Sequence, residues 1–79
     1  MRTPIRVPEL GIEQPIRLTL WLVPPGARVM EGERIVELLC GPAVVDVPAP
    51  AQGVLEQILV PEDHPVQVGQ VVGWLAVEG

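Results

Sequence analysis

Only a few side chains in this 79-residue chain are of types that could do chemistry. Cys40 is the single cysteine and His64 the single histidine. No basic residue lies near Cys40 in the sequence to activate its thiol, so we expect a small buried apolar residue. His64 follows Glu62 and Asp63 in a turn with no nucleophile nearby, which favours a solvated histidine over a general base.

The carboxylates are not arranged as a catalytic pair. Glu62 and Asp63 stand at one predicted turn, and Glu31 and Glu33 stand at another, where we expect them to serve as solubilising charges. A zinc site needs several cysteine or histidine ligands at short spacing, and the chain has one residue of each type. The sequence therefore predicts neither an enzyme active site nor a metal site.

Composition and charge exclude several further classes of protein. The five basic residues are all arginines and the formal net charge is −5, so the basic surface of a nucleic-acid-binding protein is missing. The longest apolar run, residues 18–23, stops at Pro24-Pro25 and is far too short to span a membrane. The N-terminus lacks the apolar stretch of a secretory signal, and a single cysteine suits a reducing compartment, so we expect a cytoplasmic protein.

The elements that carry these residues are predicted to be strands. Apolar residues make up 48% of the chain, fourteen of them are valine, and phenylalanine and tyrosine are absent. Because β-branched side chains fit pleated strands, and ten prolines with eight glycines leave little room for helices, the expected fold class is all-β. The length fits a single domain over residues 1–79, built as a flattened barrel or as two packed sheets.

The chain consists of two similar halves. A shift of 37 residues places Trp21 on Ile58, the following Leu-Val-Pro on a second Leu-Val-Pro, and Gly32 on Gly69. The matches fall on turn residues as well as on strand residues, which favours a quasi-twofold repeat over chance.

Apolar alternation, bounded by proline and glycine, predicts eight short strands. Period two also predicts that Leu18, Leu20 and Leu22 lie on one face of the second strand. The predicted strands cover residues 2–7, 17–23, 27–29, 34–39, 43–47, 54–60, 64–66 and 71–77.

One connector differs between the two halves. Residues 8–15 form a longer loop than their counterpart at residues 48–53. Such loops often carry recognition, although a tolerated surface insertion remains the alternative interpretation. The candidate partner-contact residues in this loop are Glu9, Leu10, Gly11, Ile12 and Glu13.

Five short motifs, taken in order, resemble the biotinyl/lipoyl carrier domain family. The resemblance covers residues 7–77, and the Val-Pro-Ala-Pro motif favours the lipoyl branch. It implies two four-stranded antiparallel sheets with quasi-twofold symmetry, a barrel-sandwich hybrid. The motifs are Val7-Pro8-Glu9-Leu10-Gly11, Trp21-Leu22-Val23-Pro24-Pro25-Gly26, Val29 with Glu31-Gly32-Glu33, Val47-Pro48-Ala49-Pro50-Ala51-Gln52-Gly53, and Val66-Gln67-Val68-Gly69-Gln70.

The resemblance fails at the position that carries the family's chemistry. In that family a lysine at the tip of the central hairpin takes lipoate in an amide linkage. Pro42 stands at the lysine position, the 79 residues contain no lysine, and a protonated arginine is too weak a nucleophile to replace it. The sequence thus predicts that neither lipoate nor biotin is carried, while Gly41-Pro42 suits a type II′ turn that keeps the hairpin. The degenerate tip consists of Leu39, Cys40, Gly41, Pro42 and Ala43.

The expected function is that of a non-lipoylated lipoyl-like domain, a docking or structural module rather than an enzyme. By the resemblance its partners are proteins of 2-oxo acid dehydrogenase complexes, and they contact the loop 8–15 together with the tip. Two alternatives stay open. One is a lipoyl-like domain of an efflux adaptor, although such adaptors carry a long helical hairpin where this chain has only Gly41-Pro42. The other is a structural fragment of a larger biotin- or lipoyl-dependent enzyme.

Overall fold

Residues 1–77 are described by the computed structural model, and they form eight strands. Every predicted strand is present, with ends that differ by at most two residues from the prediction. None of the described residues belongs to a helix long and apolar enough to cross a membrane. The strands are β1 (Arg2–Arg6), β2 (Ile16–Trp21), β3 (Arg28–Val29), β4 (Arg34–Cys40), β5 (Ala43–Pro48), β6 (Gly53–Ile58), β7 (His64–Val66) and β8 (Val71–Val77).

The strands form two antiparallel four-stranded sheets, as predicted. Sheet A has the strand order β1-β8-β6-β3, and sheet B has the order β5-β4-β2-β7. The sequence repeat relates β1 to β5, β2 to β6, β3 to β7 and β4 to β8. Replacing each strand by its equivalent in the other half, here called its mate, converts the strand order of sheet A into that of sheet B. The quasi-twofold symmetry is therefore a property of the hydrogen-bonded topology as well as of the sequence.

Mated strands carry β-bulges at equivalent positions. The register of β2 on β4 shifts between Leu18 and Leu20, and the register of β6 on β8 shifts between Leu55 and Gln57. A bulge adds one residue to one strand of a pair, so the side chains that follow it change faces.

The bulge in β2 makes the prediction for the three leucines wrong. Leu18 is fully buried, whereas Leu20 and Leu22 are 42% and 39% exposed. Trp21 takes the inward position instead, packs against the core, and donates its indole N–H to the Val60 carbonyl at 2.9 Å. Strict alternation therefore holds only as far as the bulge.

One apolar core fills the space between the sheets, and it is made almost entirely of branched aliphatic side chains. Each fully buried valine, leucine or isoleucine contributes about 1.5–3 kcal/mol relative to an exposed position. Both halves of the repeat supply residues, so neither half has a core of its own. The buried residues are Ile5, Val7, Ile16, Leu18, Val29, Ile35, Val36, Leu38, Cys40, Val47, Ala49, Leu55, Val60, Val66, Val72 and Leu75.

Candidate protein-docking site

The tip of the β4–β5 hairpin is a two-residue turn. Cys40 lies opposite Ala43, and Gly41 and Pro42 connect them. Gly41 has φ +57°, and the proline ring fixes a negative φ at the next residue. A positive φ followed by a negative one is the pattern of a type II′ turn, the geometry that the Gly-Pro pair predicts.

The loop between β1 and β2 packs against this tip. The Cys40 thiol lies 3.9 Å from the Gln14 carbonyl oxygen, and the Gln14 side chain covers Gly41. A Cβ at position 41 would meet Gln14 Cγ at 3.1 Å, which is closer than an ordinary contact. The two segments predicted to form one contact surface are therefore neighbours in the structure.

Within the loop, the candidate contact residues differ in orientation. Glu9 accepts the Gly11 N–H at 2.9 Å and so stabilises the turn, in which Gly11 has φ +70°. Ile12 is 43% exposed and Glu13 is also exposed. Leu10 is half-buried and packs against the core, so it anchors the loop instead of lying open at the surface.

A shallow cavity of about 250 Å³ lies where the loop, the tip and β7 meet. Two exposed apolar side chains lie beside it: Leu39 is 37% exposed, and its cross-strand neighbour Val44 is 62% exposed. An apolar surface beside a fixed turn suits contact with another protein. The cavity is lined by Pro15, Ile16, Arg17, Leu39, Gly41 and Pro65.

Arg17 is the one arginine that lines this cavity, and it is held by Asp63, which does not line the cavity. Arg17 Nη1 donates to the Asp63 carbonyl oxygen at 2.7 Å and lies 3.3 Å from the Asp63 carboxylate. Asp63 itself has φ +63°, and its N–H donates to the Leu18 carbonyl at 2.7 Å. The sequence did not predict this contact, because it joins residues far apart in the chain.

Two carboxylates expected to act only as solubilising charges accept backbone hydrogen bonds instead. Glu62 accepts the Trp21 N–H at 2.9 Å, and Glu33 accepts the Met30 N–H at 3.1 Å. His64 is exposed, as expected, with Nδ1 3.0 Å from the Glu62 carbonyl oxygen. The part of the chain that the structure describes contains no cluster of three or more histidine, cysteine or acidic residues that could hold a metal ion.

The tip as folded offers no exposed nucleophile. Cys40 is fully buried, as the sequence predicts, and the other four tip side chains are those of leucine, glycine, proline and alanine. The surface formed by loop and tip therefore presents side chains for contact, and its one thiol lies in the core.

A second cavity, of about 440 Å³, is lined largely by residues at equivalent positions of the two halves. Trp21 and the equivalent Ile58 both line it, as do Pro24 and the equivalent Pro61. This cavity therefore lies between the two halves, and it depends on packing that the sequence pattern does not predict.

Two sheets of this topology, with a hairpin tip and an adjoining β1–β2 loop, define the fold of biotinyl and lipoyl domains. Comparison with known protein families and structures gives the same result. The model of the biotin/lipoyl family, described as "Biotin-requiring enzyme", matches residues 3–75. The chain belongs to this family.

The relatives narrow the similarity to the lipoyl type. The chain is 34% identical over 73 residues to the dihydrolipoyllysine-residue succinyltransferase component of the 2-oxoglutarate dehydrogenase complex of Bacillus subtilis. It is similar to the solution structure of the lipoyl domain of the 2-oxoglutarate dehydrogenase complex from Azotobacter vinelandii. That match has 30% identity and a TM-score of 0.71, and it covers 100% of this chain and 96% of the other.

A likeness to a long-chain acyl-CoA carboxylase concerns the fold alone. The TM-score is 0.80 over 99% of this chain, with 17% identity. The chain spans 18% of the length of the Bacillus succinyltransferase and 7% of that of the carboxylase. It is thus similar to one small part of each of these long chains.

Proposed function

We propose that this chain is a lipoyl-type domain that carries no lipoyl or biotinyl group and serves as a docking module. The observation that supports this most directly is a hairpin tip that keeps its turn geometry with Gly41-Pro42 in a chain without lysine. Amide attachment of lipoate or biotin needs a side-chain amine, and the tip has none, so these residues do not fit either group.

By similarity to the Bacillus and Azotobacter proteins, the partners are components of a 2-oxoglutarate dehydrogenase-type complex. The docking surface is the β1–β2 loop together with the tip, with Ile12 and Leu39 as its exposed apolar residues. The domain itself catalyses no reaction. A buried, unpaired Cys40 suits a reducing compartment such as the cytoplasm.

The small part of each relative that the chain matches supports a second candidate, a structural segment of a larger biotin- or lipoyl-dependent enzyme. The efflux-adaptor alternative has less support, because β4 and β5 are joined by two residues and not by a helical hairpin.

Mass spectrometry after incubation with a lipoate ligase, lipoate and ATP tests the loss of carrier function. The unmodified sequence should gain no mass. Pro42→Lys should gain one lipoyl group, because it places an amine at the tip and leaves Gly41 to make the turn. Pro42→Arg is the matched control, since it adds a cation without a nucleophilic amine, and it should stay unmodified. Modification of the natural sequence would show that the domain is a carrier after all.

Docking is tested separately with an isotopically labelled chain. On addition of purified 2-oxoglutarate dehydrogenase complex, NMR signals of residues 9–14 and 39–43 should broaden, and those of β3 and β6 should not. Ile12→Ser should reduce the broadening, with Met30→Ser as the control, because Met30 is even more exposed, at 57% against 43%, and lies outside the loop and the tip. Uniform broadening, or none, would contradict the proposed docking surface.

A further inference from the structure

The quasi-twofold repeat allows two edge strands of the molecule to be compared residue by residue. β1 is an edge of sheet A, and its mate β5 is an edge of sheet B. The pairs Arg2–Ala76 and Pro4–Trp74 on one side correspond to Val44–Leu39 and Asp46–Glu37 on the other. Arg2 therefore corresponds to Val44, and Pro4 corresponds to Asp46.

The β1 edge is protected against pairing with another strand. Pro4 has no N–H to offer to a neighbouring strand. Arg2 forms an ion pair with Glu56, donates to Gln57 Oε1 at 3.1 Å, and lies 4.8 Å from the centre of the Trp74 ring. Proline and charged residues are the means by which sheets protect their edges.

The β5 edge is less protected, because Asp46 stands where β1 has Pro4 and therefore keeps its backbone N–H. Because Cys40 and Ala43 form the pair that closes the two-residue turn, the N–H and C=O groups of Val44 and Asp46 point away from β4. Among the described residues, β5 pairs with no strand other than β4. Val44 is also the most exposed large apolar residue after Met1, at 62%.

The side chains along this edge form an apolar patch followed by a negative one. Val44 lies opposite Leu39, and Asp46 lies opposite Glu37, which places two like charges side by side. Their compensation is incomplete. Within residues 1–77, one oxygen of Asp46 is buried and has no hydrogen-bond partner, and the other lies 3.5 Å from Arg34 Nη1. Glu37 accepts the Thr19 hydroxyl at 2.8 Å and no other side-chain donor of these residues.

We propose that the β5 edge binds an extended segment of a partner protein as an additional, antiparallel strand of sheet B. The segment has the pattern basic-x-apolar, with its lysine or arginine opposite Asp46 and its apolar residue opposite Val44. Backbone hydrogen bonds to the outward groups of β5 provide the affinity, and the alternate side chains provide the specificity.

Charge complementarity favours a basic segment over a second copy of this chain as the strand that pairs with β5. Two β5 edges paired with each other would bring together two Asp46–Glu37 pairs from molecules that each carry a net charge of −5. A basic strand would compensate the same carboxylates. This proposal does not depend on whether the tip carries a lipoyl group.

NMR titration of the labelled chain with the peptide acetyl-Thr-Lys-Thr-Val-Thr-amide tests the proposal. Binding should shift the amide signals of Val44 and Asp46 and slow their hydrogen exchange, while the amide of Arg2, which corresponds to Val44 in β1, stays unchanged. The same peptide with glutamate in place of lysine should bind about two- to fivefold more weakly, the effect expected of one partly exposed ion pair.

Three variants separate the backbone contribution from the charge contribution. Asp46→Pro copies the protected β1 edge and should abolish binding, whereas Asp46→Asn should bind both peptides with similar affinity. Glu31→Lys changes the net charge at a turn outside β5, and it should preserve the preference for the lysine peptide. Circular dichroism confirms that each variant is folded.

Either of two results would overturn the proposal. One is the absence of any shift at Val44 and Asp46 in a folded chain at millimolar peptide. The other is a concentration-dependent dimer of the free chain, seen by sedimentation, that protects these same amides. That dimer would identify the edge as an interface between copies.

Discussion

Gly41 and Pro42 contribute to the tip in different ways. Gly41 holds φ +57° and leaves room for the Gln14 side chain. Pro42 needs no special backbone conformation, since its ring already sets the negative φ of the second turn position. The geometry of the tip thus depends on Gly41 more than on Pro42.

Gly41→Ala should therefore destabilise the domain more than Pro42→Ala does. Alanine at position 41 must adopt a left-handed conformation, which costs about 1–2 kcal/mol, and its Cβ presses on Gln14 as well. Alanine at position 42 only increases the conformational entropy of the unfolded chain, which lowers the free energy of unfolding by about 0.4–1 kcal/mol. Midpoints of urea denaturation measure both changes.

Gly32→Ala serves as the control for the backbone alone, because Gly32 has φ +86° and no atom near the place of an added Cβ. The extra loss in Gly41→Ala over Gly32→Ala then measures the contact with Gln14. Equal midpoints for Gly41→Ala and Pro42→Ala would show that the turn is not of type II′.

At the scale of elements, β2 extends beyond the strand that pairs with it. β7 pairs only with residues Ile16, Arg17 and Leu18, so the Trp21 N–H lies past the end of this ladder. The Glu62 carboxylate accepts that N–H at 2.9 Å. An acidic side chain in the connector before β7 thus completes the hydrogen bonding of β2.

Glu62→Ala should lower the free energy of unfolding by about 1 kcal/mol, the usual value of one hydrogen bond in a partly exposed setting. Glu62→Gln keeps a carbonyl oxygen as the acceptor and should recover much of the loss. Glu31→Ala is the control, because Glu31 is an exposed turn glutamate of the other half. A loss of the same size in Glu31→Ala would attribute the effect to net charge.

The strands could be predicted from the sequence because alternation, proline and glycine act locally. The bulges could not, since a bulge depends on the register between two strands; Leu20 and Leu22 were therefore assigned to the wrong face. The hydrogen bond from Trp21 to Glu62 was missed for the same reason, as it joins two distant segments. At the site, the motifs located the tip and the loop. That Leu10 turns toward the core instead of the surface follows only from the packing.

At the scale of the whole molecule, the repeat shapes the surface as well as the core. The larger cavity is lined by equivalent residues of the two halves, and the two edge strands β1 and β5 are equivalent strands with different residues. The repeat therefore gives the molecule two related sheet edges, and residue differences such as Pro4 against Asp46 make these edges unlike.

The hydrogen bond between Met1 and Val77 has a consequence for connectivity. Val77 donates its N–H to the Met1 carbonyl at 2.7 Å, and 37 residues earlier Cys40 faces Ala43 across the hairpin turn. Met1 and Val77 therefore occupy positions in sheet A equivalent to those of Ala43 and Cys40 beside the hairpin turn in sheet B. A circular permutant that begins at Pro42, ends at Gly41, and joins residue 77 to residue 1 through Gly-Pro should form the same two sheets. Its NMR shifts should match those of the natural chain except beside the new ends and the new turn, because every strand keeps its neighbours in the two sheets.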